Sequence, residues 1–237
     1  MECIILAGGL GTRLRAVVSD LPKCMAPVAG KPFLYYIFNY LKQHGIAHVI
    51  LSVGYKHDVI KNWVEAQNLP FAVSFAVENE PLGTGGAIQL AMETASEEQI
   101  FILNGDTFFD IDLAQLCLEH KNKNADLTIA LKPMAQFDRY GNVMLNEQNR
   151  ITGFTEKQYC KMGQINGGIY CINRNNRLMD GLGAKFSFET EVLQRRFSDN
   201  YFHALICANY FIDIGIPDDY RKANIDFKVL FHDSDAL

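Results

Sequence analysis

Cys3-Ile4-Ile5-Leu6-Ala7-Gly8-Gly9-Leu10-Gly11-Thr12-Arg13-Leu14 opens the chain with a short apolar run that breaks into glycines. The apolar part reads as a buried strand over 3–7, and the glycines as a tight turn directly after it. Such a turn leaves bare backbone N–H groups at a strand end, where they can close around phosphate oxygens. Two phosphate loops are excluded at once. No Gly-Lys-Ser/Thr follows, and Leu14 stands where a dinucleotide fingerprint carries its third glycine. Arg13 sets a guanidinium beside the N–H donors, a combination suited to a polyphosphate.

Outward from this turn, strands and helices alternate. Strands are predicted over 48–53, 72–77, 99–103 and 126–131, and helices over 33–44, 58–66, 87–95 and 113–121. That alternation predicts an α/β fold: a Rossmann-like domain whose mostly parallel central sheet is sandwiched by helices. The later half is richer in strands, with a hairpin from 142–145 and 151–155 and further strands over 167–172 and 203–206. Ser187 is the expected N-cap of a helix over 187–197, and Pro217 starts a closing helix over 218–229. One domain is expected over 1–237, with a larger part over 1–135 and a smaller β-rich lobe over 136–237.

Composition narrows the partners. The 237 residues are 49% hydrophobic and 21% charged, so disorder is excluded and a real core is within reach. A net charge of −5, from 27 acids against 22 bases, argues against nucleic acid or an anionic membrane as partner. The start lacks the basic and long apolar stretches of a signal peptide, and no apolar window is long enough to span a bilayer. Cys3, Cys24, Cys117, Cys160, Cys171 and Cys207 show no C-x-x-C spacing. Reduced thiols in a cytoplasmic protein are the expectation. Nothing in the pattern decides whether the chain forms a homo-oligomer.

A second segment, Leu21-Pro22-Lys23-Cys24-Met25-Ala26-Pro27-Val28-Ala29-Gly30-Lys31-Pro32, presents Lys23 on proline-stiffened backbone, ten residues after Arg13. Taken together, G-G-x-G-T-R-L and P-K-x-M-x-P-x-x-G-K-P resemble the signature of the sugar-1-phosphate nucleotidyltransferases, which share a fold of the GT-A type. The resemblance continues along the chain. Glu78-Asn79-Glu80-Pro81-Leu82-Gly83-Thr84-Gly85-Gly86 is similar to that family's base-binding loop, and Asn104-Gly105-Asp106 to its metal-binding strand end. Tyr140-Gly141, Glu156-Lys157 and Asn166-Gly167-Gly168-Ile169-Tyr170 resemble its sugar-binding segments. Asp213-Ile214-Gly215-Ile216-Pro217-Asp218-Asp219-Tyr220 resembles its late D-I-G-T-P-x-D-Y segment. The runs from Arg15 to Lys23 and from Asn104 to Asp112 look most like the branch that joins GTP to D-glycero-D-manno-heptose 1-phosphate. Cys24 departs from the family's usual proline, which would loosen the lysine loop, and Gly167-Gly168 replaces a commoner Ala-Gly order.

The resemblance implies attack by a sugar-1-phosphate oxygen on the α-phosphate of a nucleoside triphosphate, with release of pyrophosphate. Both reactants are anions, so positioning and cation placement are the expected means of catalysis. The implied roles follow. Leu6, Ala7, Gly8, Gly9, Gly11, Thr12, Arg13 and Lys23 would hold the nucleotide, with Arg13 and Lys23 on the departing phosphates. Asp106 and Asp213 would hold Mg2+, an ion that takes carboxylate oxygens together with substrate phosphates. Lys157 would hold the sugar phosphate. Asn104, Tyr140, Gly141, Glu156, Asn166 and Gly168 would line the sugar pocket. Glu78, Glu80, Gly83 and Thr84 would meet the base. Guanine offers two adjacent donors, which suit one carboxylate, so Glu78 and Glu80 favour GTP.

Three rival readings stand beside this one. Asp110-Ile111-Asp112 is the D-x-D of a GT-A glycosyltransferase, although Asp112 also fits as a helix cap. A regulatory subunit would bind a nucleotide sugar without turnover. A mannose-1-phosphate guanylyltransferase would differ only in its sugar.

Overall fold

The computed structural model describes residues 1–9, 14, 18 and 21–232. Gly11, Thr12 and Arg13, three of the expected nucleotide ligands, lie outside the described residues. In chain order the strands and helices are β1 (Glu2–Leu6), β2 (Pro27–Val28), β3 (Lys31–Pro32), α1 (Phe33–Gln43), β4 (His48–Val53), α2 (His57–Glu65), β5 (Ala72–Val77), α3 (Gly83–Met92), β6 (Gln99–Asn104) and β7 (Thr107–Phe109). There follow α4 (Leu113–Asn122), β8 (Leu127–Phe137), β9 (Val143–Leu145), β10 (Ile151–Phe154) and β11 (Cys160–Asn173). A π-helical segment (Phe188–Leu193) runs into α5 (Gln194–Arg196), and β12 (Phe202–Ile206), β13 (Phe211–Asp213) and α6 (Pro217–Leu230) complete the chain.

Seven strands form one sheet in the order β12-β8-β11-β6-β1-β4-β5. All neighbours pair in parallel except β11, which runs against both β6 and β8. The strands are apolar on both faces because helices cover both. On one side Cys3, Ile5 and Leu51 pack with α1, whose residues from Phe33 to Leu41 are all buried. On the other, Ile4, Ile50 and Ile102 pack with Ile88 and Ala91 of α3.

Two departures from expectation matter for the site. Helix α3 starts at Gly83 rather than at residue 87. Its glycines are required because the backbone of residues 184–186 crosses the first turn: a Cβ on Gly85 would sit 2.1 Å from the Phe186 ring, and one on Gly86 2.2 Å from the Ala184 carbonyl oxygen. That packing overrides glycine's poor helix propensity. The expected helix over 187–197 is capped by Ser187, whose hydroxyl accepts from the Thr190 N–H, but its first turns are π-helical. Strand β8 crosses residue 135, so the two halves of the chain share the main sheet. The β-rich part consists of the far ends of β8 and β11 with the β9–β10 hairpin.

Candidate active site

Strand order places the site. In sequence terms the strands β5-β4-β1-β6 lie third, second, first and fourth, so connections leave β1 in opposite directions and a crevice opens at its C-terminal end. Four strand ends converge there. A cavity of about 500 Å³ is lined by Leu6, Ala7, Gly8 and Gly9 after β1, Ser52 on β4, Glu78 after β5, and Asn104, Gly105 and Asp106 after β6. Pro81, Gly83, Thr84 and Ala87 wall it from the α3 side, and Lys23, Cys24 and Glu189 complete it. Gly105 is needed for the close approach of two strand ends: its N–H donates to Leu6 O at 3.0 Å, and a Cβ would lie 2.6 Å from the same oxygen.

A short ribbon builds the candidate centre. β7 and β13 pair antiparallel, with Asp213 opposite Thr107, and the Ile214 N–H donates to Asp106 O at 3.0 Å. This brings together two carboxylates 107 positions apart in sequence, 213 minus 106. The Lys23 ammonium lies between them, donating to Asp106 Oδ2 and standing 3.7 Å from Asp213 Oδ1. Burial and the neighbouring Asp106 charge push the Asp213 carboxyl above its usual range, while Lys23 opposes the shift. Asp213 also accepts the Gly215 N–H at 2.7 Å.

The lysine loop is held at both ends. Residues Lys23–Met25 form a 3-10 turn, and the late segment grips the chain beyond it: the Tyr220 hydroxyl donates to Pro27 O, and Asn224 Oδ1 accepts the Ala29 N–H at 3.0 Å. Cys24 belongs to this loop. It is buried within the turn, and burial raises its thiol to about 12, so it stays protonated and unreactive.

The residues present fit a divalent ion. Among the described residues no three His, Cys, Asp or Glu side chains form a ready cage. A pair of carboxylates that already shares one cation is, however, the donor set Mg2+ uses when phosphates supply further ligands.

Other expected residues fall into three groups. Glu78 stands at the cavity wall. Its Oε2 accepts the Leu82 N–H at 2.9 Å, and its Oε1 faces Gly8, where a Cβ would come within 2.6 Å. Glu80 is exposed and outside the cavity lining. Asn166 and Gly168 lie on β11, and Tyr140 lies between β8 and β9, near enough to Asp213 to feel its charge; none of the three lines the cavity. Asn166 donates to the Tyr170 hydroxyl at 2.7 Å and accepts the Gly168 N–H at 2.9 Å. Gly168 has φ +72°, and its α-carbon lies against Asn104. Gly167 answers to Phe109, whose ring would lie 2.4 Å from an added Cβ, which accounts for the double glycine. The Tyr140 phenol is pushed up to about 12 by burial and by Asp213. Gly141 lies against Thr155 O, which would sit 2.5 Å from a Cβ, so Tyr140-Gly141 and the exposed Glu156-Lys157 segment are neighbours. Glu156 and Lys157 do not line the cavity.

Sequence reasoning missed Ser52 and Glu189. Glu189 Oε2 accepts from the Thr84 hydroxyl at 2.6 Å and the Ser187 hydroxyl at 3.1 Å, tying the later half of the chain to the start of α3. No local pattern marks a contact 105 residues apart. The D-x-D reads as structure: Asp112 caps α4, accepting the Ala114 and Gln115 N–H groups at 2.8 and 3.1 Å. Among the described residues no helix is long and apolar enough to cross a membrane.

Comparison with known proteins gives the family. The chain is 51% identical, over 94% of its length and 96% of the relative's, to D-glycero-alpha-D-manno-heptose 1-phosphate guanylyltransferase of Aneurinibacillus thermoaerophilus. It is 48% identical, over 93% and 97%, to the protein of the same name from Campylobacter jejuni. The crystal structure of HddC from Yersinia pseudotuberculosis complexed with GMP-PN superposes with a TM-score of 0.86 at 38% identity, covering 96% of this chain and 99% of that one. A family model described as nucleotidyl transferase matches residues 2–228. The chain therefore belongs to the nucleotidyl transferase family, and it is an enzyme of that class.

Proposed function

We propose that the chain transfers GMP from GTP to D-glycero-alpha-D-manno-heptose 1-phosphate, giving a GDP-heptose and pyrophosphate. The observation that carries phosphoryl transfer is Lys23 set between Asp106 and Asp213 at the mouth of the strand ends. The names of the two relatives matched along nearly their whole length support the sugar and the nucleotide. A nucleophilic phosphate oxygen is already ionised at neutral pH, so no general base is required. The work left for the protein is to align two anions and offset their repulsion.

Each group then has a task. The N–H groups after β1 and the Lys23 ammonium hold the triphosphate; Arg13 would add its guanidinium. Asp106 and Asp213 would hold Mg2+, which when bound neutralises phosphate charge. Lys157 aligns the sugar phosphate, with Tyr140, Gly141, Glu156, Asn166 and Gly168 on the sugar hydroxyls. Glu78 accepts the guanine N–H groups. We place the reaction in the cytoplasm, supplying a lipopolysaccharide or capsule pathway.

A pyrophosphate-release screen of five nucleoside triphosphates against mannose and heptose 1-phosphates tests the assignment. Fastest release is expected with GTP and the heptose. Faster release with mannose 1-phosphate replaces the sugar, no release at all favours a binding subunit, and sugar transfer from a nucleotide sugar favours a glycosyltransferase.

A further inference from the structure

Ser52 is 1% exposed, and its hydroxyl has no hydrogen-bond partner among the described residues, yet the residue lines the nucleotide cavity. A buried hydroxyl without a partner loses its hydration and gains nothing in return, so such groups are rare unless a ligand completes them. Its position in the sheet is set by register. Ser52 lies opposite Leu6 on β1 and Ala76 on β5, and Ala7 N donates to Ser52 O at 2.8 Å. Side chains on a strand alternate, so Ser52 shares a face with Ala76 and, two residues further, Glu78. That face is the one covered by α3, where Ala87 and Thr84 form the opposite wall.

We propose that the Ser52 hydroxyl donates to O6 of the guanine base and, with Glu78, sets the enzyme's base selectivity. This rests on the GTP reading above. Guanine presents, side by side, one acceptor (O6) and two donors (N1–H and the 2-amino group). A hydroxyl beside a carboxylate is the complement of that edge. Glu78 supplies the acceptor, with Oε2 anchored by the Leu82 N–H and Oε1 turned toward Gly8 at the cavity. Ser52 lies on the same face of the sheet and lines the same cavity, with a proton to give and no acceptor among the described residues. Rotation about χ1 would carry Oγ toward the cavity that Ser52 lines, and the hydroxyl hydrogen is free to turn to O6. Adenine presents the reverse order on this edge, an acceptor at N1 where Glu78 also accepts, and is rejected.

The experiment compares GTP with 6-thio-GTP, which keeps both donors and replaces only O6 by a poor acceptor, in wild type and Ser52→Ala. The wild-type chain is expected to use GTP about 10-fold better than 6-thio-GTP, as kcat/KM. Ser52→Ala should lose most of that ratio, through a higher KM for GTP and an almost unchanged value for 6-thio-GTP. Its preference for GTP over ITP, which lacks only the 2-amino group, should survive. The melting temperature of the unliganded variant should not fall, because no bond is lost in the empty protein. A ratio unchanged in Ser52→Ala, or a fallen melting temperature with intact selectivity, overturns the contact alone. A wild-type chain that does not favour GTP overturns the contact together with the proposed substrate.

Discussion

Replacing Asp106 by Asn tests the reaction centre most directly. The Asp106 carboxylate touches the Lys23 ammonium, and Lys23 stands 3.7 Å from Asp213. At an effective dielectric of ~20, one such charge pair is worth about 4 kcal/mol before solvent screening. Asp106 is 33% exposed, so screening removes part of this. Losing one carboxylate from a site that offsets phosphate charge in the transition state is expected to cost about 3 kcal/mol, a loss of about 100-fold in turnover. Stability should change little. Lys23 keeps Asp213 as partner at 3.7 Å, so its ammonium is not left without a carboxylate. If both carboxylates serve one cation, Asp106→Asn and Asp213→Asn should not multiply: the double variant should be barely worse than the weaker single one. The assay is pyrophosphate release at saturating substrates over a range of Mg2+ concentrations, with a denaturant midpoint as control. Turnover within threefold of wild type for Asp106→Asn, or fully multiplicative losses in the double variant, refutes a shared cation site.

Three further outcomes are expected. Glu78→Gln keeps an acceptor for the Leu82 N–H but loses the second acceptor oxygen, so the preference for GTP over UTP should erode; an unaltered nucleotide ranking removes Glu78 from base recognition. Lys157→Ala should raise the KM for the sugar 1-phosphate several-fold and leave that for GTP in place, because the exposed Lys157 does not line the nucleotide cavity; unchanged constants for both substrates discard its role. His44, His120 and His203 have folded pKa values held below 6.5 by burial, so the unfolded chain binds more protons as acid is added. Their stabilising contribution is complete above 6.5 and is lost as the pH falls through the lower folded values. Glu2, held at about 2 by N–H groups and His48, stays ionised throughout that range. The urea midpoint should therefore be lower at pH 5.5 than at pH 7.5, and equal midpoints would refute the argument.

What was legible in the sequence follows from how each feature is encoded. β1, β4 and β6 are mostly apolar runs because both sheet faces are covered there, and such runs survive without context. Of the fourteen residues of β11, 167–172 are readable as a strand, since the glycines at 163, 167 and 168 interrupt the pattern earlier. Those glycines answer to Asn142, Phe109 and Asn104, contacts that only the folded chain contains. The same holds for the centre itself. Asp106 and Asp213 can each be recognised by the residues beside them, but their meeting depends on β7 and β13, three residues each and too short to show a period. Ser52 lies deeper still: nothing around it distinguishes a serine that ends a buried strand from one that merely fills it. Its significance arises from being in a parallel sheet at the level where the strands stop and the cavity begins, with a hydroxyl that no described residue answers. A residue of that kind is visible only as a deficit in hydrogen bonding, and such a deficit requires the positions of all its neighbours before it can be counted.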